Sequence, residues 1–287
     1  MTARLIDGKA VAAALRASVA ARVATLSYRP GLAVILLGDD PASETYVRNK
    51  DKAAAQAGIN AQTIRLPENT AQSALLERID TLNSDPAVDG ILIQLPLPPH
   101  IDAGVVVEAV DPEKDVDGFH PVNVGRLASG RTGLVPCTPL GVMRLLEHAK
   151  VTLSGARALV LGRSAVVGRP LVGLLLAADA TVTVAHSHTK DLVDECRRAE
   201  ILIAAIGQPQ QVRGNWIRPG ATVIDVGINR LPDGRLVGDV AFDECAAVAG
   251  AITPVPGGVG PMTIACLLEN TLSAAERRRP PKGLVSG

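Results

Sequence analysis

A tyrosine and a lysine stand four residues apart in a segment whose composition favours a helix. Tyr46 and Lys50 would share one helix face, about 6 Å apart along the axis. Asp40 and Pro41 precede them and supply a capping side chain and a suitable first helical residue. A lysine withheld from water beside a tyrosine hydroxyl has a pKa below its usual value of roughly 10.4, so it can transfer protons. A solvent-exposed lysine with the tyrosine packed inward is the alternative.

Two further polar groups stand where apolar runs of strand length give way to loops. Gln94 ends one such run, at the edge where open α/β sheets place ligands, and its amide could hold Lys50 or a substrate carbonyl. Asp115 and Asp117 precede Gly118 in a turn. The Asp117 carboxylate could accept the N–H groups of a nitrogen heterocycle, and an Asx-turn is an equally simple role for this segment.

A glycine-containing turn, GRSAVVGRP at residues 162–170, connects a predicted buried strand to a predicted helix. Glycines in such a turn let the backbone approach a pyrophosphate, and the start of a helix favours anions. The turn departs from G-x-G-x-x-G because Ser164 replaces the second glycine and Gly168 comes one residue late. A plain strand-to-helix turn is therefore the alternative.

The end of the next predicted strand indicates which nucleotide would bind. An NAD site usually has Asp or Glu there for the ribose 2′-hydroxyl, whereas this chain reads AHSHT at residues 185–189. Arg163 could bind a 2′-phosphate through two hydrogen bonds and Ser187 could donate another, so the sequence predicts NADP. His186 and His188 lack partners at the spacing of a zinc site, and no metal is predicted.

Bulk properties describe a soluble globular protein. The 287 residues suggest two domains, and the 29 basic residues match 29 acidic ones. With no basic excess and five aromatic residues, nucleic acid is not expected as a partner. Four scattered cysteines and the absence of an apolar run of about 18 residues predict a cytoplasmic protein without a membrane span. The arginine run 277–279 is expected to be solvated.

Apolar runs alternate with helical patterns in two blocks, which is typical of βαβ units and parallel sheets. The predicted strands are residues 32–37, 61–66, 90–95, 157–161, 180–185, 201–206 and 221–226. Residues 115–141, rich in Gly and Pro, separate the blocks and are predicted to be irregular and functional. The chain is therefore expected to be a two-domain α/β protein.

Eight segments, in this order, resemble the bifunctional methylenetetrahydrofolate dehydrogenase/methenyltetrahydrofolate cyclohydrolase family over nearly the whole chain. They are SETYVRNK (43–50), DGILIQLPLP (89–98), DPEKDVDGFHPVNVG (111–125), PCTP (136–139), GRSAVVGRP (162–170), HSHT (186–189), VIDVGIN (223–229) and TPVPGGVGPMT (253–263).

The resemblance implies oxidation of 5,10-methylenetetrahydrofolate with NADP and hydrolysis of the methenyl product to 10-formyltetrahydrofolate in one cleft. It implies that Lys50 is the catalytic lysine, that Tyr46 stacks on the substrate, that Gln94 supports Lys50 and that Asp117 anchors the pterin. The implied NADP-binding residues are Gly162, Arg163, Ser164, Val167, Gly168, Ser187 and Ile228. The implied folate-binding residues also include Ile93, Leu95, Pro254, Pro256, Gly257, Gly258 and Pro261, the last five in a loop over the folate.

The same resemblance implies a discontinuous N-terminal α/β catalytic domain that binds folate, residues 1–136 and 264–287. It also implies a Rossmann-like NADP-binding domain with a parallel sheet, residues 137–263, and a homodimer formed through that domain. No metal is needed, because the cation left by hydride transfer is already an electrophile.

Two alternatives share some of these features. Short-chain dehydrogenases also pair Tyr with Lys four residues later, but there the glycine-rich turn comes first, whereas Lys50 precedes Gly162 here. A non-catalytic nucleotide-sensing module would not need Lys50, Gln94 and Asp117 together, and a turnover assay would distinguish it.

Overall fold

The computed structural model describes residues 2–38 and 41–279, with the backbone alone described for residues 41–46. The helices are α1 (Gly8–Ala24), α2 (Pro41–Gln56), α3 (Gln72–Ser84), α4 (Ala103–Ala109), α5 (Pro121–Ala128), α6 (Cys137–His148), α7 (Gly168–Ala177), α8 (Leu192–Arg198), α9 (Phe242–Ala246) and α10 (Val259–Arg278). The strands are β1 (Arg4–Leu5), β2 (Gly31–Leu37), β3 (Asn60–Leu66), β4 (Gly90–Ile93), β5 (Arg157–Leu161), β6 (Thr181–Ala185), β7 (Ile201–Ala204), β8 (Thr222–Asp225), β9 (Asn229–Arg230), β10 (Leu236–Val237) and β11 (Ala251–Ile252). No helix in this described part is long and apolar enough to cross a membrane.

The chain divides into two compact units. One holds Ala14–Cys137 and residues 264–279, and we call it the three-stranded unit after its sheet. The other holds residues 2–13 together with Thr138–Thr263, and we call it the six-stranded unit. Both units are therefore built from two separate stretches of sequence.

The start of the chain differs from the sequence prediction, which placed residues 1–136 in one domain. Strand β1 pairs in parallel with β11, with Arg4 opposite Ala251 and Leu5 opposite Ile252. Because paired strands lie side by side, these residues belong to the sheet of the six-stranded unit. The boundary between the units falls within α1.

In the three-stranded unit the strand order is β3-β2-β4, and both pairs are parallel. Every residue of β2, GLAVILL, is buried, as expected for a central strand covered on both faces. The register places Ile35 opposite Ile64 on one side and Ile93 on the other. Side chains from β2, α3 and α4 form the core, including Ala33, Ile35, Leu75, Ile79, Leu82 and Val106.

In the six-stranded unit the order is β1-β11-β8-β7-β5-β6, and all neighbouring strands are parallel. Strand β5 lies between β6 and β7. The chain passes from β5 to its neighbour β6 and then crosses back to β7, the neighbour on the opposite edge of β5, so the direction of strand order reverses at β5. Such a change of direction leaves a crevice at the carboxyl ends of the strands, where open α/β sheets bind ligands. The loops after β5 and β7 lie at this point.

All seven predicted strands are confirmed to within a few residues, as β2 to β8. The prediction of an irregular segment over residues 115–141 is wrong in part, because α5 lies within it and α6 begins at Cys137. Pro121 stands in the first turn of α5, and the His120 side chain accepts a hydrogen bond from the Val122 amide at 3.1 Å. This helix has eight residues, too few to show a clear periodicity in sequence.

The expectation of a solvated arginine run is wrong for two of its three residues. Arg278 donates to Asp89 Oδ1 at 3.0 Å and to the Val88 carbonyl at 2.6 Å, and Arg279 donates to the other carboxylate oxygen. The Arg279 guanidinium also lies 3.9 Å from the centre of the Tyr28 ring. Asp89 is fully buried, so these contacts fasten the end of α10 to the three-stranded unit.

Candidate active site

Helix α2 begins at Pro41, as the sequence predicted, and holds Lys50 near its middle. Lys50 is 4% exposed, which rules out the solvent-exposed alternative, and its Nζ donates to Gln94 Oε1 at 3.0 Å. The Gln94 side-chain nitrogen donates to the Leu95 carbonyl at 2.8 Å, which turns the amide oxygen toward the lysine. Asp40 and the side chain of Tyr46 lie outside the described residues.

Burial governs the charges of Lys50 and Asp117. It lowers the pKa of Lys50, and the Asp117 carboxylate offsets part of this shift. It raises the pKa of Asp117 to about 6, although the lysine acts in the opposite direction. In both groups desolvation outweighs the mutual attraction, so the site favours a lysine that gives up its proton readily.

The two carboxylates of the DVDG segment have different roles. Asp115 accepts hydrogen bonds from the amides of Gly118 at 3.1 Å and His120 at 2.8 Å, and from the Asn123 side chain at 3.0 Å. The turn interpretation therefore applies to Asp115. Asp117, which is partly exposed, lines a narrow cavity whose other walls are mostly apolar. The predicted residues Ile93 and Leu95 also line it.

Cys137 is a neighbour of this site that the sequence analysis did not single out. Burial raises the pKa of its thiol well above the usual value, and the nearby Asp117 carboxylate acts in the same direction. The thiol donates to the Val116 carbonyl at 3.4 Å. Cys137 is thus a neutral group that packs against the segment carrying Asp117.

The turn after β5 depends on two glycines. Gly162 has a φ of +119°, and a Cβ there would lie 2.1 Å from the Ala205 carbonyl oxygen at the end of β7. A Cβ on Gly168 would lie 2.3 Å from the Gly162 carbonyl oxygen. The Ser164 hydroxyl accepts from the amides of Val167 at 3.2 Å and Gly168 at 3.4 Å, so it holds the turn that leads into α7. The glycines thus allow close packing of strand and helix.

A cavity of about 390 Å³ opens between the loops after β5, β6 and β7. It brings together four residues that were predicted to bind NADP, namely Gly162, Arg163, Ser164 and Ser187. Its other lining residues are Leu161, His186, Leu192, Ala205, Ile206, Gln208 and Gln211, most of which the sequence analysis missed. Their shared position at the carboxyl ends of strands was the available signal. Val167 and Gly168 stand at the start of α7 and do not line it.

The remaining predicted residues lie around a second cavity, of about 170 Å³, in the same six-stranded unit. Ile228, predicted to bind NADP, lines it with Pro254, Pro256, Gly257, Gly258 and Pro261 of the predicted folate loop. Lys9 and Asp225 also line it and were not predicted. Among the described residues, no group of three His, Cys, Asp or Glu side chains could hold a metal ion.

Comparison with known proteins finds the same family in both units. The protein-family model for the catalytic domain of tetrahydrofolate dehydrogenase/cyclohydrolase matches residues 6–117. The protein-family model for the NAD(P)-binding domain of the same enzyme matches residues 136–279. The chain is 70% identical to the bifunctional protein FolD of Acidiphilium cryptum, over 97% of this chain and 100% of that one.

Two solved structures are similar throughout. The bifunctional enzyme FolD of Campylobacter jejuni, a methylenetetrahydrofolate dehydrogenase/cyclohydrolase, is 49% identical with a TM-score of 0.94, covering 96% of this chain and 99% of that one. The corresponding Trypanosoma brucei enzyme, solved with NADP cofactor and an inhibitor, is 46% identical with a TM-score of 0.92, covering 96% and 98%.

Proposed function

The chain belongs to the tetrahydrofolate dehydrogenase/cyclohydrolase family, and we propose on this basis that it performs both reactions named in the family description. It oxidises 5,10-methylenetetrahydrofolate to the 5,10-methenyl form with NADP, and it hydrolyses the product to 10-formyltetrahydrofolate. The observation that supports this proposal best is the buried Lys50, hydrogen-bonded to Gln94 and close enough to Asp117 for the two charges to interact.

Lys50 supplies the proton transfer of the hydrolysis. Water adds to the methenyl carbon, and a neutral amine can accept the proton that this water loses. The same ammonium then returns a proton to the ring nitrogen as its bond to carbon breaks. The neutral amine next takes the proton of the added hydroxyl as the formyl C=O forms, and this proton passes to solvent, so one proton is released overall. Because burial lowers the pKa of Lys50, both forms are accessible closer to neutral pH than for a free lysine. Gln94 fixes the direction of Nζ without adding a charge.

Asp117 anchors the substrate in this proposal. With a pKa of about 6 it is mostly ionised at neutral pH, and an ionised carboxylate can accept two N–H groups of a pterin edge. Asp115 supports this role indirectly, because its three hydrogen bonds hold the turn from which Asp117 projects. We assign Tyr46 as a stacking partner of the folate on the resemblance alone.

NADP fits the 390 Å³ cavity on chemical grounds. Arg163 and Ser187 are exposed at its wall, and its lining, within the described residues, includes no Asp or Glu that would repel a 2′-phosphate. The bound cofactor supplies the hydride acceptor. The chain's own part is to hold the nucleotide through Arg163, Ser164 and Ser187 and to close the wall with the loop after β7.

Further proposals concern assembly and location. We propose a homodimer formed through the six-stranded unit. Strand β6 is an edge strand of the sheet, and the side chains of Val184 on β6 and Leu176 on α7 are exposed, which supports an interface there. Light scattering on the double variant Leu176→Asp/Val184→Asp should then report a monomer. We also propose a cytoplasmic protein with folate derivatives and no nucleic acid as partners.

A spectrophotometric assay with methylenetetrahydrofolate tests the function. The wild type should form NADPH and a transient methenyl chromophore. Lys50→Met should hydrolyse methenyltetrahydrofolate no faster than the uncatalysed background while still binding NADP, because the change removes the proton carrier and keeps the side chain's length. Lys52→Met, an exposed lysine two residues later, is the matched control and should keep the wild-type rate. Near wild-type hydrolysis by Lys50→Met would remove Lys50 from the mechanism.

A further inference from the structure

Asp239 is a fully buried carboxylate between β10 and α9 that the mechanism above does not use. Its Oδ2 accepts hydrogen bonds from the backbone amides of Ile206 at 2.7 Å and Gly207 at 3.0 Å. Its Oδ1 accepts from the backbone amide of Gln208 at 2.9 Å and from the Asn229 side chain at 2.9 Å. A carboxylate offers about four lone-pair sites, and four donors occupy them here.

These donors belong to the loops that surround the candidate nucleotide site. Residues 206–208 form the loop after β7, and both Ile206 and Gln208 line the 390 Å³ cavity. Asn229 follows Ile228, which lines the 170 Å³ cavity. The Asp239 side chain therefore holds walls of both cavities in the six-stranded unit. It lies 31 to 33 residues after the loop of residues 206–208 in the sequence.

A second buried carboxylate holds Asp239 itself in place. Asp225 Oδ1 accepts from the amides of Gly227 at 3.0 Å and Asp239 at 2.9 Å, and its Oδ2 accepts from the Val240 amide at 2.9 Å. The close packing of these two aspartates requires glycine at residues 227 and 238. A Cβ on Gly227 would lie 2.3 Å from Asp239 Oδ1, and one on Gly238 would lie 1.8 Å from Asp225 Oδ2.

We propose that Asp239 is a positioning residue for the nucleotide, which holds the loop of residues 206–208 in the shape that NADP requires. The inference rests on the proposed function, because it takes the 390 Å³ cavity as the NADP site. A backbone loop satisfied by one fixed carboxylate loses little freedom when the ligand binds, and such preorganisation strengthens binding. Asp239 touches no reacting atom in this account, and three of its four hydrogen bonds hold the loop of residues 206–208, so we expect its effect to fall mainly on the step that uses the nucleotide.

Asp239→Asn tests the proposal with almost no change in volume. Whichever way the amide turns, its NH₂ group faces at least one pair of donors instead of accepting from them. We expect the dissociation constant for NADP, measured by titration calorimetry, to rise about tenfold or more, since hydrogen bonds to charged groups are among the stronger ones. The hydrolysis of methenyltetrahydrofolate, which transfers no hydride, should stay within about twofold of the wild-type rate.

Two further variants complete the test. Asp233→Asn changes an exposed aspartate in the turn between β9 and β10 and should leave both measurements unchanged. Asn229→Ala removes one of the four donors, so it should weaken NADP binding less than Asp239→Asn does. If Asp239→Asn does not fold, Asn229→Ala provides the test in its place.

Three results would bear against these ideas separately. Equal loss of NADP binding and of hydrolysis in the variants would mean that Asp239 supports the whole protein rather than the nucleotide loop. Unchanged NADP affinity in both Asp239→Asn and Asn229→Ala would overturn the positioning role. Failure of the wild type to bind NADP would instead overturn the proposed function.

Discussion

Single residues in this protein are tuned mainly by the removal of water. Lys50 and Asp117 are close enough to interact, yet burial shifts the pKa of each toward its neutral form. The attraction between opposite charges would do the reverse, so desolvation is the larger effect. Proton transfer requires an amine that can lose its proton. A carboxylate with a pKa of about 6 is still mostly ionised at neutral pH, and the ionised form is the one that binds N–H groups strongly.

The pKa of Asp117 predicts how substrate binding depends on pH. The ionised carboxylate binds pterin N–H groups more strongly than the acid does, so folate affinity should fall as the pH is lowered through about 6. Asp117→Asn should bind folate more weakly by about 1.5–3 kcal/mol at neutral pH and lose this dependence, while its NADP affinity is unchanged. Titration of a folate ligand from pH 5 to 8 measures both effects. The same pH dependence in variant and wild type would assign it to another group.

Arg163 predicts the choice between the two nicotinamide cofactors. We expect Arg163→Ala to remove the proposed charge-assisted contact to the 2′-phosphate, of about 1.5–3 kcal/mol, which corresponds to roughly a tenfold to hundredfold fall in the NADP/NAD ratio of kcat/KM. The value for NAD itself should change little, and Ser187→Ala should have a smaller effect. Initial rates with each cofactor provide the ratio. Equal losses for NADP and NAD would show that the arginine binds the shared pyrophosphate or supports the turn.

At the scale of elements, a buried lysine joins a helix to the segment that carries Asp117. Lys114 is fully buried, and its Nζ donates to the carbonyls of Leu82, Asn83 and Asp85 at 2.6–2.8 Å, at the end of α3. The Leu82 and Asp85 carbonyls each accept a backbone amide as well, from Asp85 at 3.3 Å and from Val88 at 3.2 Å. The ammonium adds a donor to both and also binds the Asn83 carbonyl, so it completes the cap of the helix. Burial lowers the pKa of Lys114. The three hydrogen bonds to carbonyls offset part of the free-energy cost of burying its charge.

Replacement of this cap should lower stability. Lys114→Met keeps the length of the side chain but removes three hydrogen bonds to carbonyls at the end of α3, and it takes from the Asn83 carbonyl its bond to Nζ, at about 1–3 kcal/mol if water cannot reach that oxygen. Urea unfolding should show this loss, whereas the exposed Lys52→Met should be neutral within about 0.5 kcal/mol. An unchanged urea midpoint for Lys114→Met would mean that water satisfies these carbonyls.

At the scale of the whole molecule, the three-stranded unit is closed by the last helix. Arg278 and Arg279 bind Asp89, which stands immediately before β4 and almost two hundred residues earlier in the sequence. The Asp89 carboxylate also accepts from the Gly31 amide at 2.9 Å, at the start of β2. A buried acid thereby connects two strands to the returning helix, which explains why this unit needs both of its stretches of sequence.

Adjacent arginines provide a matched test of this closure. Arg278→Ala should destabilise the protein by about 3–5 kcal/mol, the usual effect of removing one partner of a buried ion pair, reduced to the extent that Arg279 compensates. Arg277→Ala should cost less than about 1 kcal/mol, because that side chain is exposed and makes one hydrogen bond to the Gly133 carbonyl at 3.3 Å. Thermal unfolding of the two variants provides the comparison, and equal midpoints would contradict a role for the buried pair.

The sequence alone determined the features that depend on local pattern. The buried strands β2, β4, β5, β7 and β8 follow from apolar runs such as GLAVILL, because a strand covered on both faces needs apolar side chains on both. The candidate site residues Lys50, Gln94 and Asp117 were selected from their types and positions, and their roles were assigned by the family resemblance, so these roles are predictions that the variants above test. Ordered motifs then identified the family, which the comparisons confirmed.

Only the tertiary structure decided the contacts between residues far apart in sequence. The donors to Asp239, the carbonyls around Lys114 and the arginines on Asp89 leave no local periodicity, because each side chain meets its partners only after the sheets have formed. The same is true of β1, whose two residues form a strand because β11 lies beside them. Burial, too, is a property of the folded chain. The lysine that the spacing in α2 suggested thus acquired its lowered pKa only when the surrounding structure excluded water.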